Sequence, residues 1–223
     1  MSTPRFLGRV SAADISVLGF TLLYMAIWLV AALVLKNIEF VFYFVVMCIL
    51  IVAVGLVHLR VGFHVAALWG LSVWGLAHMA GGMLPIPGSW QSQGARHVLY
   101  NMWLVPGVLK YDQLVHAYGF GLVTWICWQG LKKVFEDRGI TVAPTWGLLT
   151  LCVAAGMGFG AANEVVEFVA TLTVPDTNVG GYANTGWDLV ANFVGTVMAA
   201  VAIALCSSTP KVPRPPRTRG KSF

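Results

Sequence analysis

Six ionisable side chains lie inside stretches of this sequence that are otherwise strongly apolar, and their types suit metal binding and acid–base chemistry. They are His78, Asp112, His116, Glu164, Glu167 and Asp188. A charge at the centre of a bilayer costs at least about 2.5 kcal/mol, so such residues usually have a partner or a function. Two imidazoles with several carboxylates suit a divalent metal, and mixed nitrogen and oxygen ligation does not choose among zinc, manganese and iron.

Most of these residues fall into pairs whose members are about one helical turn apart. The pairs are Asp112 with His116, Glu164 with Glu167, and Asp188 with the amide Asn192. Side chains at these separations project from the same face of a helix. Because lipid disfavours a polar face, we expect each pair to point into a bundle of helices.

Long apolar stretches carry these residues and are typical of helices that cross a membrane. The 223 residues are 58% hydrophobic and only 10% charged, whereas a soluble domain has about 25% charged residues. A helix needs about 20 apolar residues to cross a bilayer. Six spans are predicted, at 13–35, 38–57, 62–84, 110–132, 146–170 and 185–207. The predicted fold class is all-α, a polytopic bundle of six transmembrane helices.

The distribution of charge predicts three segments and an orientation. Residues 1–12 form an N-terminal segment, 13–207 the transmembrane domain, and 208–223 a basic, proline-rich tail that is expected to be extended or disordered. Eleven of the 14 Lys and Arg lie on the side of the two termini, so the positive-inside rule predicts that both termini are cytoplasmic. We interpret the tail as an anchor that contacts membrane lipids, and no nucleic-acid partner is predicted.

This orientation places the polar residues of four spans at one membrane depth. The third and fifth spans carry them near their outer ends, and the fourth and sixth carry them near their outer starts. The sequence therefore predicts a single polar pocket just below the extracytoplasmic surface. The small residues at 154–162, which precede Glu164, are expected to let neighbouring backbones approach closely.

Structural roles stay open for several of these residues. Asp188 forms a T-x-x-D box with Thr185, which is typical of a helix cap. Asp112 lies in a first turn, where the helix dipole favours an acid. His78 fits a core histidine bonded to a carbonyl, and His116 fits a simple partner of Asp112.

Two loops on the predicted outer side are long enough to do more than connect helices. Residues 85–109 contain the helix breakers Pro85, Pro87 and Pro106, and residues 171–184 have a turn-rich composition. Each loop either forms a rim over the pocket or is a plain connection, and the sequence leaves both interpretations open.

The chain resembles the YjdF family of bacterial inner-membrane proteins, a family of no established function. The resemblance rests on Tyr-Asp-Gln-Leu-Val-His at 111–116, Asn-Glu-Val-Val-Glu-Phe at 163–168 and Gly-Trp-Asp at 186–188, with His78 upstream. It implies a location in the bacterial inner membrane. The family tends to show a second acid where this chain has Asn192. A more distant likeness to VanZ-like proteins, with D-x-x-x-N-x-x-G ending at Gly195, implies a link to cell-envelope or lipid chemistry.

The main functional hypothesis is a metal-dependent enzyme that hydrolyses, or transfers a group of, a lipid or cell-envelope substrate. The predicted metal ligands are His78, Asp112, His116 and Asp188, with Asn192 as a supporting polar residue. Glu164 is the predicted general base, and Glu167 is predicted to position it or the substrate. Two alternatives stay open, a structural or accessory membrane subunit held together by polar contacts and a proton- or ion-coupled transporter or sensor. The oligomeric state does not follow from the sequence.

Overall fold

Six helices make up most of the protein in a computed structural model, which describes residues 10–94 and 96–207. They are α1 (Ala12–Val34), α2 (Ile38–Val61), α3 (Val65–Met83), α4 (Tyr111–Glu136), α5 (Trp146–Thr173) and α6 (Tyr182–Cys206). A 3-10 turn (Leu99–Asn101) and two short antiparallel strands, β1 (Trp103–Val105) and β2 (Leu109–Lys110), lie between α3 and α4. The predicted all-α membrane fold is confirmed. Most of the predicted segment 1–12 and all of the basic tail 208–223 lie outside the described residues.

Four of the helices, α1, α2, α5 and α6, are long and apolar enough to cross a membrane. The most apolar is α2, with a mean hydropathy of 3.0, and only 11% of its apolar window is buried inside the protein. Most of its surface is therefore available to lipid. The other two helices are less apolar, because α3 contains four glycines and His78 and α4 contains Asp112 and His116. That all six helices cross the membrane stays a prediction.

Several helices extend beyond the predicted spans, and their ends explain why. α2 continues to Val61, where Gly62 adopts a left-handed conformation with φ 71° and ends the helix. α4 continues to Glu136, and its last turns carry an ion pair between Lys132 and Glu136 with a nitrogen–oxygen distance of 3.5 Å. Polar residues four apart support helix beyond the apolar part of a span.

Small residues bring α4, α5 and α6 into close contact. A Cβ atom at Gly195 of α6 would overlap the backbone carbonyl of Ala117 in α4, and one at Gly121 would lie 3.1 Å from the carbonyl oxygen of Gly195. On α5, Gly156 faces Thr124 and Gly160 faces Asn192. At Gly156 a Cβ atom would also lie 3.5 Å from the backbone oxygen of Phe120, which fits the close backbone approach predicted for residues 154–162, whereas Gly160 faces only a side chain. This packing places His116 and Asn192 opposite each other.

The remaining helices form a second packed group, whose core includes Tyr24, Phe40 and Met79 from α1, α2 and α3 and also Ala170 from α5. The ring of Phe40 occupies the space that a Cβ atom at Gly82 would need. Because α2 and α3 meet this closely, the end of α3 lies beside the start of α2. We call this end of the bundle, where α2, α4 and α6 begin and α3 and α5 end, the cavity end.

Candidate metal site

The central residue of the candidate site is His116, which lies on the first turns of α4 and is only 2% exposed. Its Nε2 atom is 3.6 Å from Oδ1 of Asp112. Its Nδ1 atom is 3.1 Å from Oδ1 of Asn192 and 3.7 Å from Oε1 of Glu164. The imidazole therefore meets residues from α4, α5 and α6 at one depth, which is the convergence that the spacing predicted.

The contact with Asn192 favours one tautomer of His116. An amide oxygen accepts hydrogen bonds, so the contact is a hydrogen bond in the tautomer whose Nδ1 carries the proton. In that tautomer the Nε2 lone pair faces Asp112. In metal sites, a hydrogen bond from the other ring nitrogen commonly orients the histidine ligand.

Asp188 completes one potential set of metal ligands. Asp112, His116 and Asp188 each offer a ligand atom, and these atoms lie within 4.8 Å of one another. Asn184, one turn before Asp188, donates a hydrogen bond to Oδ2 of Asp188 and has a longer contact of 3.5 Å to Oδ2 of Asp112. The other oxygen of Asp188 is buried and has no hydrogen-bond partner among the described residues.

A second potential set consists of His116, Glu164 and Glu167, whose ligand atoms also lie within 4.8 Å of one another. The side chain of Glu164 is 9% exposed, and neither of its oxygens has a hydrogen-bond partner in the part of the chain that is described. Glu167 accepts a hydrogen bond of 3.0 Å from the amide of Asn163. The residues predicted as catalytic therefore also have the geometry of ligands, and their catalytic role stays a prediction.

The cluster contains an excess of acidic groups that no basic side chain balances within the described residues. Four carboxylates surround one imidazole, and within the described ranges no Lys or Arg forms an ion pair with any of them. Like charges at such distances repel strongly in a low-dielectric interior. Unpaired buried oxygens are rare in folded proteins. A cation would neutralise the charge and satisfy the free oxygens, so the donor set fits a divalent metal.

His78, the fourth predicted ligand, lies next to this cluster but belongs to neither ligand set. Its ring packs edge-on against Tyr43 and Tyr100, with ring centroids 6.1 and 5.5 Å away. No hydrogen bond to a carbonyl accompanies this packing among the described residues, so the alternative of a carbonyl-bonded core histidine has no support. Metal ligation by His78 stays a prediction.

A cavity of about 790 Å³ opens onto the cluster at the cavity end. His78, Asp112 and Glu167 line it, whereas His116 and Asp188 lie behind this wall and are almost fully buried. The volume is typical of a site for a small molecule. A ligand in the cavity can therefore contact the carboxylates of Asp112 and Glu167, while the imidazole of His116 is shielded from solvent.

Both long loops contribute to the rim of the cavity, and a network of ionic contacts connects them. Arg96 in the first loop binds Glu39 at the start of α2 and Asp176 in the second loop, with nitrogen–oxygen distances of 3.3 and 3.0 Å. Glu39 is only 3% exposed and also accepts a hydrogen bond of 3.0 Å from the backbone nitrogen of Asn178. The side chain of Asn178 contacts Asn101. The loops are thus ordered parts of the site.

Two of the structural alternatives can be tested against the helix ends. α6 begins at Tyr182 with Gly181 as its cap, so Asp188 lies in the second turn and the interpretation of Thr185 and Asp188 as a capping box is wrong. Asp112 does lie in the first turn of α4, but its side chain contacts His116 and Asn184.

Several residues of the site did not emerge from the sequence. Asn184 and Asn163 lie four residues before Asp188 and Glu167, a spacing that could have indicated them. Tyr43 and Glu39 on α2 had no comparable signal, because they reach the site only through the packing of α2 against the end of α3.

The fold and the site define a helical membrane protein with a polar, potentially metal-binding cluster beneath a cavity. Comparison with family profiles shows that the chain belongs to the family described as predicted membrane protein (DUF2238), which it matches over residues 16–209. No curated protein and no solved structure matches the chain. The family match supports a membrane location, and the likeness to VanZ-like proteins stays a prediction.

Proposed function

We propose that this protein is a metal-dependent membrane enzyme that hydrolyses, or transfers a group of, a lipid or cell-envelope substrate. The observation that carries the proposal is the set of Asp112, His116 and Asp188, whose ligand atoms lie within 4.8 Å of one another, with Nδ1 of His116 in contact with Asn192. A cavity leads to this set from the surface. Metal chemistry explains both the excess of carboxylates and their free oxygens.

A divalent metal held there would activate a water molecule as nucleophile and polarise the bond that is cleaved. The carboxylates of Glu164 and Glu167 would serve as the general base, taking a proton from the attacking water and returning it to the leaving group, so that hydrolysis of an ester or acyl bond balances. Asn163 holds Glu167, and Asn184 holds Asp188, so both carboxylates are preorganised.

The proposal includes a setting in the membrane. All six helices cross the bacterial inner membrane, both termini are cytoplasmic, and the cavity opens on the extracytoplasmic side. Support comes from the positive-inside rule. Eleven of the 14 Lys and Arg lie on the side of the two termini, and the other three, Lys36, Arg96 and Lys110, lie at the cavity end. We also propose that the family described as predicted membrane protein (DUF2238) and the YjdF family are one and the same.

A second candidate function has one observation in its favour. The contacts from His116 to Asn192 and from Asn184 to Asp112 connect α4 with α6, as expected of a polar lock in a structural subunit. Such interhelical bonds average only about 0.6 kcal/mol in membranes. They do not explain why, among the described residues, neither oxygen of Glu164 has a hydrogen-bond partner.

The test is turnover of native lipids by the purified full-length protein. The protein is incubated with a bacterial lipid extract and Zn²⁺, Mn²⁺ or Fe²⁺, and products are identified by mass spectrometry. We expect a metal-dependent product that is lost in Glu164→Gln, while Glu136→Gln at the opposite end of the bundle retains it. Absence of turnover with all three metals, together with reduced thermal stability of Glu164→Gln, would support the polar lock instead.

A further inference from the structure

Two amide side chains in the wall of the cavity have hydrogen-bond donors to spare. Gln113 of α4 lines the cavity and is 8% exposed, and its Oε1 atom accepts a hydrogen bond of 2.9 Å from the backbone nitrogen of Lys110. Its Nε2 atom has no hydrogen-bond partner among the described residues and is not fully enclosed by them. In the second loop, the side-chain oxygen of Asn178 accepts from Arg96 and Asn101, and its Nδ2 atom has the same free status within the described ranges.

The same wall carries free hydrogen-bond acceptors on α5 and α6. Glu167 accepts from Asn163 through Oε1, and Asn184 donates to Asp188 through its amide nitrogen. Both Glu167 and Asn184 line the cavity, and their other oxygens, Oε2 and Oδ1, are neither paired nor fully enclosed in the part of the chain described. His78 adds one group of each kind, because both of its ring nitrogens are free in the same sense and a neutral imidazole has one donor and one acceptor.

A cavity lined by donors and acceptors together suits a ligand with several hydroxyl groups. A hydroxyl both donates and accepts hydrogen bonds, so it pairs with amides, carboxylates and imidazole alike. An apolar ligand would displace water from these groups and leave them unpaired, which is costly. The lining therefore favours a polyhydroxylated group over an apolar one.

The charges in the wall disfavour a charged head group of either sign. An anion would meet the carboxylates of Asp112 and Glu167. A cation would meet Lys110, whose ammonium group forms no ion pair with a carboxylate among the described residues, and it would compete with a metal for the carboxylates. Glu39, the third carboxylate in the wall, is already paired with Arg96. A neutral polar group avoids both repulsions.

The mouth of the cavity is aromatic. Trp187 and Tyr182 of α6 line the cavity and are 59% and 95% exposed. Trp and Tyr are enriched where proteins meet the headgroup region of a membrane. The C–H groups of a sugar ring pack against the negative face of an aromatic ring, and an apolar chain attached to the sugar continues over these side chains into the lipid.

From these observations we infer that the cavity binds the neutral sugar head group of a glycolipid. The sugar hydroxyls pair with Gln113, Asn178 and Asn184, the ring packs against Trp187, and the apolar chain leaves past Tyr182. The inference names the substrate class of the proposed enzyme and rests on the proposed function for that role, whereas the binding contacts stand without a metal.

Binding is tested with the full-length protein by native mass spectrometry in tetraethylene glycol monooctyl ether, a detergent that contains no sugar. The probes are octyl glucoside, octyl phosphate and octylammonium, which share one chain and differ in charge, and free glucose, which lacks the chain. We expect octyl glucoside to bind roughly tenfold more tightly than each of the other three, as one or two net hydrogen bonds would give. Equal or tighter binding of any of the other three would overturn the inference.

Two glutamines on α4 separate the sugar contact from folding. The Oε1 atom of Gln129, at the opposite end of α4, also accepts a hydrogen bond from a backbone nitrogen, that of His64. Gln113→Met and Gln129→Met therefore both lose one such bond, but only Gln113→Met removes a donor from the cavity. Gln113→Met should weaken octyl glucoside binding several-fold, and Gln129→Met should bind like the unchanged protein. Equal affinities of the two variants would overturn the inference.

Two exposed tryptophans test the aromatic contact in the same way. Trp187→Ala should weaken octyl glucoside binding, while Trp187→Phe, which keeps an aromatic ring, retains most of it. Trp146→Ala at the start of α5, where the side chain is 72% exposed, is the matched control and should have no effect. A Trp187→Ala protein that binds octyl glucoside as tightly as Trp146→Ala would also overturn the inference.

Repeating the binding measurements after treatment with EDTA distinguishes this inference from the proposed function. Octyl glucoside binding that depends on Gln113 and persists in a protein that binds no metal would leave the inference standing and the metal enzyme rejected. Metal-dependent turnover of the lipid extract by a protein that does not bind octyl glucoside would have the opposite meaning.

Discussion

The Nδ1 atom of His116 lies 3.1 Å from the Oδ1 atom of Asn192, and this contact joins the start of α4 to α6. It is possible only because Gly195 and Gly121 let the two helices approach closely. The contact favours the tautomer with the proton on Nδ1, in which Nε2 faces Asp112. A close helix crossing thus provides the orientation that a metal ligand needs.

Replacing Asn192 tests the role of this hydrogen bond. Asn192→Ala removes the acceptor for His116 and should weaken metal binding by about 10–100-fold, the usual effect of losing the group that orients a histidine ligand. Asn192→Asp keeps an oxygen acceptor at the same place and should retain tight binding. Metal affinity is measured by competition with a fluorescent chelator. Equal affinities of Asn192→Ala and the unchanged protein would show that the bond does not orient a ligand.

The glycine contact between α4 and α6 predicts a sharp difference between two substitutions. Gly195→Ala places a methyl group against the carbonyl of Ala117 and should destabilise the protein by about 1–3 kcal/mol. Gly158→Ala on α5, where nothing lies within 4 Å of the added carbon, is the control and should cause no loss. Thermal unfolding of both variants in detergent provides the measurement. Similar stability of the two variants would contradict the crossing.

The ion pair of Arg96 with Glu39 predicts that the stability of the two outer loops depends on Arg96. Arg96→Ala leaves the buried carboxylate of Glu39 without its charge partner and should reduce stability by roughly 2–3 kcal/mol, less than for a fully buried pair because Arg96 is partly exposed. Asp176, the other partner of Arg96, has a side chain that is 87% exposed. Asp176→Ala should therefore change stability by less than about 1 kcal/mol. Equal losses in the two variants, measured by thermal unfolding, would contradict this account.

Removing the carboxylate of Glu164 should not lower the stability of the metal-free protein, but it should reduce the stabilisation that metal provides. In the metal-free protein, Glu164→Gln relieves repulsion among four acids, so its unfolding temperature should equal or exceed that of the unchanged chain. Metal at 100 times its dissociation constant should stabilise the unchanged protein by about 2.7 kcal/mol, and the variant by less. Differential scanning fluorimetry with increasing Zn²⁺ or Mn²⁺ gives both values. A metal-free variant that unfolds at a lower temperature would favour the polar lock.

The predicted orientation can be tested with single cysteines in intact cells, in a background from which the native cysteines have been removed. Val108→Cys lies in the exposed loop at the cavity end, and Asp137→Cys follows α4 at the opposite end. A membrane-impermeant maleimide should label Val108→Cys in intact cells but label Asp137→Cys only after permeabilisation. The reverse pattern would place the cavity on the cytoplasmic side.

Helical periodicity predicted part of the convergence, but not that His78 belongs to neither ligand set. The four-residue spacing of Asp112 and His116 places them on one helix face. The charge distribution gave the direction of each helix, and these directions predicted that Glu164 and Asp188 lie at the same end of the bundle. The sequence did not reveal that α6 begins before Thr185, because Gly181 caps it without a side-chain bond. It also could not reveal the pairing of Glu39 with Arg96, 57 residues apart, since long-range contacts depend on how whole helices pack.

The central claim is that Asp112, His116 and Asp188 hold a divalent metal, and the metal content of the purified protein tests it most directly. The full-length protein is incubated with Zn²⁺, Mn²⁺ or Fe²⁺, freed of unbound metal and analysed by plasma mass spectrometry alongside His116→Ala and the distant control His64→Ala. We predict tightly bound metal in the unchanged protein and in His64→Ala, and loss of most of it in His116→Ala. Full occupancy in His116→Ala, or no bound metal in the unchanged protein, would contradict the claim.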